Sequence, residues 1–218
     1  MKKTAAQKIY SLLFKRYPDA LDSPTTVGRG TPFQVLILTI LSAQTTDRAV
    51  LLVKKPLFSK YPTPASLATA KVADVELIIH SLGFYHVKAQ HIIAAAKKIV
   101  TDFKGTVPTT MDELVALPGV GRKTANIVLY HALGKNEGIA VDTHVRRLAQ
   151  RIGLSDNRDQ DRMEQDLMKL FPQQRWGDLT DVLIAHGRAC CIAKKPRCGV
   201  CPIIQYCRYF RISGKPDY

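Results

Sequence analysis

The chain has 218 residues, 46% of them hydrophobic, which is enough for one or two globular domains with a real core. A formal net charge of +14 and a pI near 9.7 point to a polyanionic partner, most often nucleic acid. Lys8, Lys15 and Arg16 break up any export-signal core, and the longest apolar run, Val35–Leu41, is far too short to span a bilayer. The chain is therefore expected to be soluble, without a membrane.

Residues 4–17 read as an amphipathic helix, with Ile9, Leu12, Leu13 and Tyr17 on one side. Pro18 to Gly30, rich in Pro, Gly, Asp, Ser and Thr, reads as a connector. Residues 32–43 are apolar on nearly every side behind Pro32, the pattern of a helix buried in mid-domain. Polar residues then emerge abruptly at Ser42-Ala43-Gln44-Thr45-Thr46-Asp47, where Thr46 or Asp47 can cap the next helix. Further helices are expected over 47–59, 65–69, 72–81, 86–103, 111–116, 122–133, 143–152, 160–170 and 174–189. Breaks fall at Pro56, Pro62/Pro64, Gly83, Gly105/Pro108, Pro118/Gly119, Gly134, Gly153 and Pro172. No period-2 run survives this parsing, so the chain reads as all-α.

The turn at Leu117-Pro118-Gly119-Val120-Gly121-Arg122-Lys123 joins two of these helices. Glycine supplies positive φ and close backbone approach, and it leaves amides bare at a helix start, where an anion is favoured. A helix, a glycine hairpin and a second helix aimed at a phosphate make a helix-hairpin-helix. An ordinary glycine-capped hairpin would give the same turn. Lys123 adds chemistry: in the first turn of the second helix the dipole disfavours a cation and favours the free amine, the nucleophilic form. The plainer alternative is a lysine that only grips phosphate.

All five cysteines lie between Cys190 and Cys207. In a reducing compartment such a set suggests metal, not disulfides. Counting from Cys191 the spacing is C-x6-C-x2-C-x5-C, through Cys198, Cys201 and Cys207. One C-x2-C between longer arms favours a four-iron cubane over a zinc site built from two short knuckles, with zinc as the alternative. Cys190 is the spare and reads as a small buried apolar residue. Lys194, Lys195 and Arg197 stud the loop, whose cations suit phosphate contact.

Together these features resemble the endonuclease III family of base-excision DNA glycosylases, in the helix-hairpin-helix superfamily. The matching stretches are Leu41–Asp47, Gly83-Phe84-Tyr85-His86-Val87-Lys88-Ala89, Leu117–Asn126, Val141-Asp142-Thr143-His144-Val145 and the four-cysteine run. The resemblance implies two all-α domains with the active site between them. One is a six-helix barrel with the helix-hairpin-helix, over 22–136; the other, over 1–21 and 137–218, carries a [4Fe-4S] loop on Cys191, Cys198, Cys201 and Cys207. It implies that Lys123 is the catalytic lysine and Asp142 the catalytic aspartate. It makes Gln44 the residue that fills the space of an extruded base and Phe84 an apolar wedge. Phe84 is larger than the leucine often found there, and His86 and Val87 depart further from the pattern. Gly119, Gly121, Arg122, His144, Lys194, Lys195 and Arg197 are the remaining candidate DNA contacts.

The function so implied is a bifunctional DNA N-glycosylase that removes oxidised pyrimidines and cuts the strand as an AP lyase through a lysine Schiff base. Asp142 also stands directly before Thr143, an N-cap position compatible with catalysis. Two rivals are a monofunctional mismatch glycosylase, which would lack Lys123, and a non-catalytic DNA-binding module. The expected partner is damaged double-stranded DNA, met by a monomer in the cytoplasm at the nucleoid.

Overall fold

A computed structural model describes residues 1–21 and 30–213. Among them every regular element is helical: α1 Lys3–Arg16, α2 Pro32–Leu41, α3 Asp47–Lys60, α4 Pro64–Ala68, α5 Val72–Ile79, α6 Tyr85–Phe103, α7 Met111–Val115, α8 Arg122–Leu133, α9 Thr143–Ile152, α10 Gln160–Leu170, α11 Trp176–Ala189 and α12 Arg208–Ser213. The connector expected over 18–30 lies mostly outside the described residues, apart from a 3₁₀ turn at Pro18–Ala20. Among the described residues no helix is long and apolar enough to cross a membrane. The chain divides into two compact units, Pro24–Lys135 and Met1–Ser23 with Asn136–Tyr218.

In the unit Pro24–Lys135 the core forms around α2. Thr31 and Gln34 close a reciprocal capping box, Pro32 occupies the first turn, and Phe33 and Val35 through Leu41 are all buried. This helix is flanked by α8, α6 and α3, and α6 also carries α4 and α5. The helix ends two residues earlier than 32–43. Ser42 bonds back to the Thr39 carbonyl, and Gln44 turns left-handed at φ 52°. Pro56 does not interrupt α3, contrary to expectation: the helix runs on to Lys60 with Val50, Val53 and Leu57 buried on one stripe. The proline removes a bond to the carbonyl of Leu52, a residue 70% exposed, where water can take its place.

In the other unit α1 packs on α11 and α10, and α9 packs on α11 and α12. Ala6, Ile9 and Leu13 are fully buried with Val145, Leu148, Leu167, Val182 and Leu183. Tyr10 donates its hydroxyl to Asp178 at 3.1 Å across 168 residues of sequence. Gly187 lets α9 and α11 close up: a Cβ there would stand 2.7 Å from His144 Nδ1 and 3.0 Å from Arg147.

Candidate functional site

The turn between α7 and α8 has the geometry its glycines suggested. Gly119 sits at φ +78°, and an added Cβ would meet the Cβ of His91 on α6 at 3.0 Å. Both backbone freedom and close approach therefore require glycine. Gly121 is the N-cap of α8 in ordinary extended backbone, and an added Cβ would meet nothing within 4 Å. It is exposed, and no side chain caps the start of α8, where helical geometry directs the first amides outward. Arg122 opens the helix, and Lys123 follows in its first turn with its side chain exposed. Behind them Ala125, Asn126, Val128 and Leu129 are buried, which fixes the helix and hence the direction of its start.

In the same unit the loops bearing Gln44 and Phe84 are neighbours: a Cβ on Gly83 would lie 4.0 Å from the Gln44 carbonyl. Both side chains are exposed, Phe84 by 67%, and both residues have left-handed backbone, at φ 52° and 59°. A phenylalanine this exposed is not packing in the core.

In the other unit Asp142 is half-buried and caps α9: its Oδ1 accepts from the Val145 amide at 2.7 Å. Its Oδ2 accepts no hydrogen bond among the described residues, so one carboxylate oxygen serves the fold and the second is available for chemistry. Asp181 on α11 is buried nearby in electrostatic terms. Burial first, then the carboxylates of Asp178 and Asp142, push its carboxyl up to about 7. His144 lies in the first turn of α9, its Nδ1 3.2 Å from Arg147.

The cysteine loop is bolted to the same helix. Arg147 donates to the Cys191 carbonyl at 3.1 Å and to that of Gly187 at 3.2 Å. One turn on, Arg151 donates to the carbonyls of Ile192 at 2.8 Å and Ala193 at 2.6 Å, and its guanidinium stands 3.5 Å from Cys191 Sγ. Neither arginine was singled out from sequence; their i, i+4 spacing was the available signal. Cys191, Cys198, Cys201 and Cys207 line one cavity, walled by Ile152, Ile203 and Phe210. Its donors are thiols with the His186 imidazole beside them, soft ligands that suit an iron–sulfur cluster or zinc and not a hard cation. Burial pushes the Cys201 thiol up to about 12, so a thiolate there calls for a cation beside it, which the iron of a cluster would supply. Cys190, 5% exposed, lines the same cavity, and its Sγ donates to the Arg197 carbonyl at 3.3 Å. Its sulfur, Cys201 Sγ and a His186 ring nitrogen also lie within 4.8 Å of one another. Lys194, Lys195 and Arg197 are exposed on the loop.

Comparison with known proteins adds three findings. Residues 37–173 match the family model for HhH-GPD superfamily base excision DNA repair proteins, and residues 191–207 match the iron-sulfur binding domain of endonuclease III. That second match begins at Cys191 and ends at Cys207, with Cys190 outside it. An endonuclease III of Synechocystis is 48% identical over 206 residues, covering 94% of this chain and 93% of that one. Two solved structures, each 36% identical, are similar throughout. A trapped endonuclease III–DNA covalent intermediate has a TM-score of 0.91 and covers 99% of this chain and 100% of that one. A non-covalent endonuclease III–DNA complex has a TM-score of 0.90 and covers 98% and 99%.

Proposed function

The chain belongs to the endonuclease III family of HhH-GPD base excision DNA repair proteins, and on that premise we propose that Lys123 is its nucleophile and Asp142 the carboxylate that serves it. The activity is that of a bifunctional DNA glycosylase and AP lyase acting in base excision repair. The observation that carries the assignment is an exposed amine in the first turn of α8, two residues past a glycine N-cap that has no side chain of its own.

A base inside duplex DNA is out of reach, so the nucleotide must first leave the stack. Gln44 and Phe84, side by side on exposed loops, fill the gap by hydrogen bonding and stacking. The amides at the start of α8, with Arg122 and the cations at 194, 195 and 197, hold phosphates, so affinity falls as salt rises. Unprotonated Lys123 then gives its lone pair to C1′ of the damaged nucleotide. The glycosidic bond breaks, and its electron pair leaves with the base, which takes up a proton. Loss of the proton from Nζ and opening of the sugar ring give a Schiff base. Removal of a C2′ proton then expels the 3′ phosphate and cuts the strand, and water releases the enzyme. Asp142 Oδ2 is the group to accept the Nζ proton or to face the positive charge that develops on the sugar.

The [4Fe-4S] cluster would be held by Cys191, Cys198, Cys201 and Cys207, and it would supply a rigid cross-link among four points of the loop. Arg147 and Arg151 hold that loop on α9, the helix that Asp142 caps. Oxidised or ring-saturated pyrimidines are the substrates we assign. The protein acts as a monomer at the nucleoid.

Borohydride reduction of the reaction on lesion-bearing duplex tests the nucleophile. The wild-type protein is expected to yield a covalent adduct and a cut strand. Lys123→Ala should yield neither while still binding the duplex. A trapped adduct that persists in Lys123→Ala would move the nucleophile elsewhere.

A further inference from the structure

Gln44 and Phe84 hold left-handed backbone without being glycine, at φ 52° and 59°. The conformation is unfavourable for residues with a Cβ and persists only where the surroundings enforce it. A side-chain link between the two segments comes from Lys88, one turn into α6. Lys88 is only 5% exposed, and burial lowers its ammonium pKa. Its Nζ donates to Thr45 Oγ1 at 2.5 Å. Thr45 Oγ1 in turn donates to the Ala43 carbonyl at 3.3 Å, so the relay grips both residues that flank Gln44. The backbone of Lys88 is fixed by the first helical bond of α6, its amide donating to the Phe84 carbonyl at 3.0 Å. Gly83 lies against the Gln44 carbonyl, where an added Cβ would come within 4.0 Å.

A methionine could fill this buried place without the cost of desolvating an ammonium. The cation does have a partial electrostatic rationale, since the loop follows the C-terminal end of α2, where orphan carbonyls and the helix dipole favour positive charge. Its one hydrogen-bond partner among the described residues is nevertheless a hydroxyl on the loop of Gln44.

We propose that Lys88 is a positioning residue: acting through Thr45, it locks the Gln44 loop to the first turn of α6, so that Gln44 and Phe84 enter the opened duplex as one rigid unit. The proposal rests on the reading of those two side chains as gap fillers. It assigns Lys88 and Thr45 no contact with the reacting atoms.

A single-stranded substrate has no stack to hold open, so the gap fillers act only on duplex. The test is the ratio of abasic-site cleavage rates, duplex over single strand, measured on the full-length protein. Lys88→Met and Thr45→Val should each lower the ratio about tenfold, as expected for loss of one charge-assisted hydrogen bond. Thr45→Ser, which keeps the hydroxyl, should hold the ratio near wild type. The Lys88→Met/Thr45→Val double variant should be no worse than either single one, because both break the same link. Gln44→Ala and Phe84→Ala calibrate the assay. If those two leave the ratio unchanged, the gap-filling reading fails and the proposal falls with it. If they lower the ratio while Lys88→Met and Thr45→Val do not, positioning alone is wrong. Equal losses on both substrates in the Lys88 and Thr45 variants would reduce the link to fold maintenance and overturn the proposal, as would single effects that multiply in the double variant.

Discussion

Asp142 has two roles that a pair of substitutions can pull apart. Its Oδ1 accepts the Val145 amide at 2.7 Å and so caps α9. Alanine removes the cap, at a cost of about 1 kcal/mol. For a chain of this length that lowers Tm by about 2–4 °C. Asparagine caps as well as aspartate and gives up only the attraction between the charge and the helix dipole, worth about 0.3–1 kcal/mol. The stability order is therefore wild type, then Asp142→Asn, then Asp142→Ala, with the asparagine variant closer to wild type. Catalysis should divide the variants differently. Asparagine cannot take a proton from Lys123 or oppose a positive sugar, so both variants should lose about 10²–10⁴-fold in the chemical step. Single-turnover base release from a duplex with one ring-saturated pyrimidine reads that step, and thermal melting of the same preparations reads the cap. An Asp142→Asn protein that excises at the wild-type rate would refute the reasoning, since it would leave only the capping role. Activity that tracked melting temperature across the pair would do the same.

Gly119→Ala combines left-handed backbone, worth about 1–2 kcal/mol against an L-residue, with a Cβ 3.0 Å from His91. It should distort the hairpin and weaken duplex binding, as read by a salt titration of affinity; unchanged affinity at every salt would show that the turn does not grip phosphate. Asp181 has its carboxyl raised to about 7 by burial and by Asp178 and Asp142, so the folded state favours the protonated form. That stabilisation is fully present below pH about 4, the unfolded value, and is lost as pH rises through about 7. Asp181→Asn should accordingly melt with wild type near pH 4 and be more stable at pH 8, by up to about 4 kcal/mol; a gap that is the same at both pH values would contradict the shift. Cys190→Ala should keep a full complement of about four irons per chain, while Cys201→Ala should lose it. Iron and sulfide analysis of purified protein decides, and iron loss in Cys190→Ala would place that thiol among the ligands.

What could be read from the sequence was local. The cap at Asp142, the positive φ at Gly119, the one-sided stripe of α1 and the all-round apolar run of α2 each depend on residues within a few positions of one another. The four-cysteine spacing is equally local, spanning 191–207. Pro56 shows the limit of local rules. A proline in a helical pattern reads as a break, yet the helix continues because Val50, Val53 and Leu57 are buried against other elements and the lost bond faces solvent. Gln44 reads as the polar end of α2, and nothing in its neighbours requires φ 52°.

Lys88 and the two arginines of α9 mark where pattern reading fails for a physical reason. A lysine on an amphipathic helix is normally a solvated charge, because burying its ammonium is unfavourable unless something answers it. Here a threonine 43 residues earlier in the chain answers it. Arg147 and Arg151 likewise read as the polar face of α9, and only the carbonyls of Gly187 and of Cys191, Ile192 and Ala193, about forty residues on, make them a clamp. In each case the informative pair is one charged side chain with a neutral acceptor far along the chain, and neither member is unusual alone. The residues proposed for the chemistry are legible because they stand at helix starts, where local rules are strongest. The residues that hold those helix starts and loops in place act across long separations, and only the folded chain brings them to their partners.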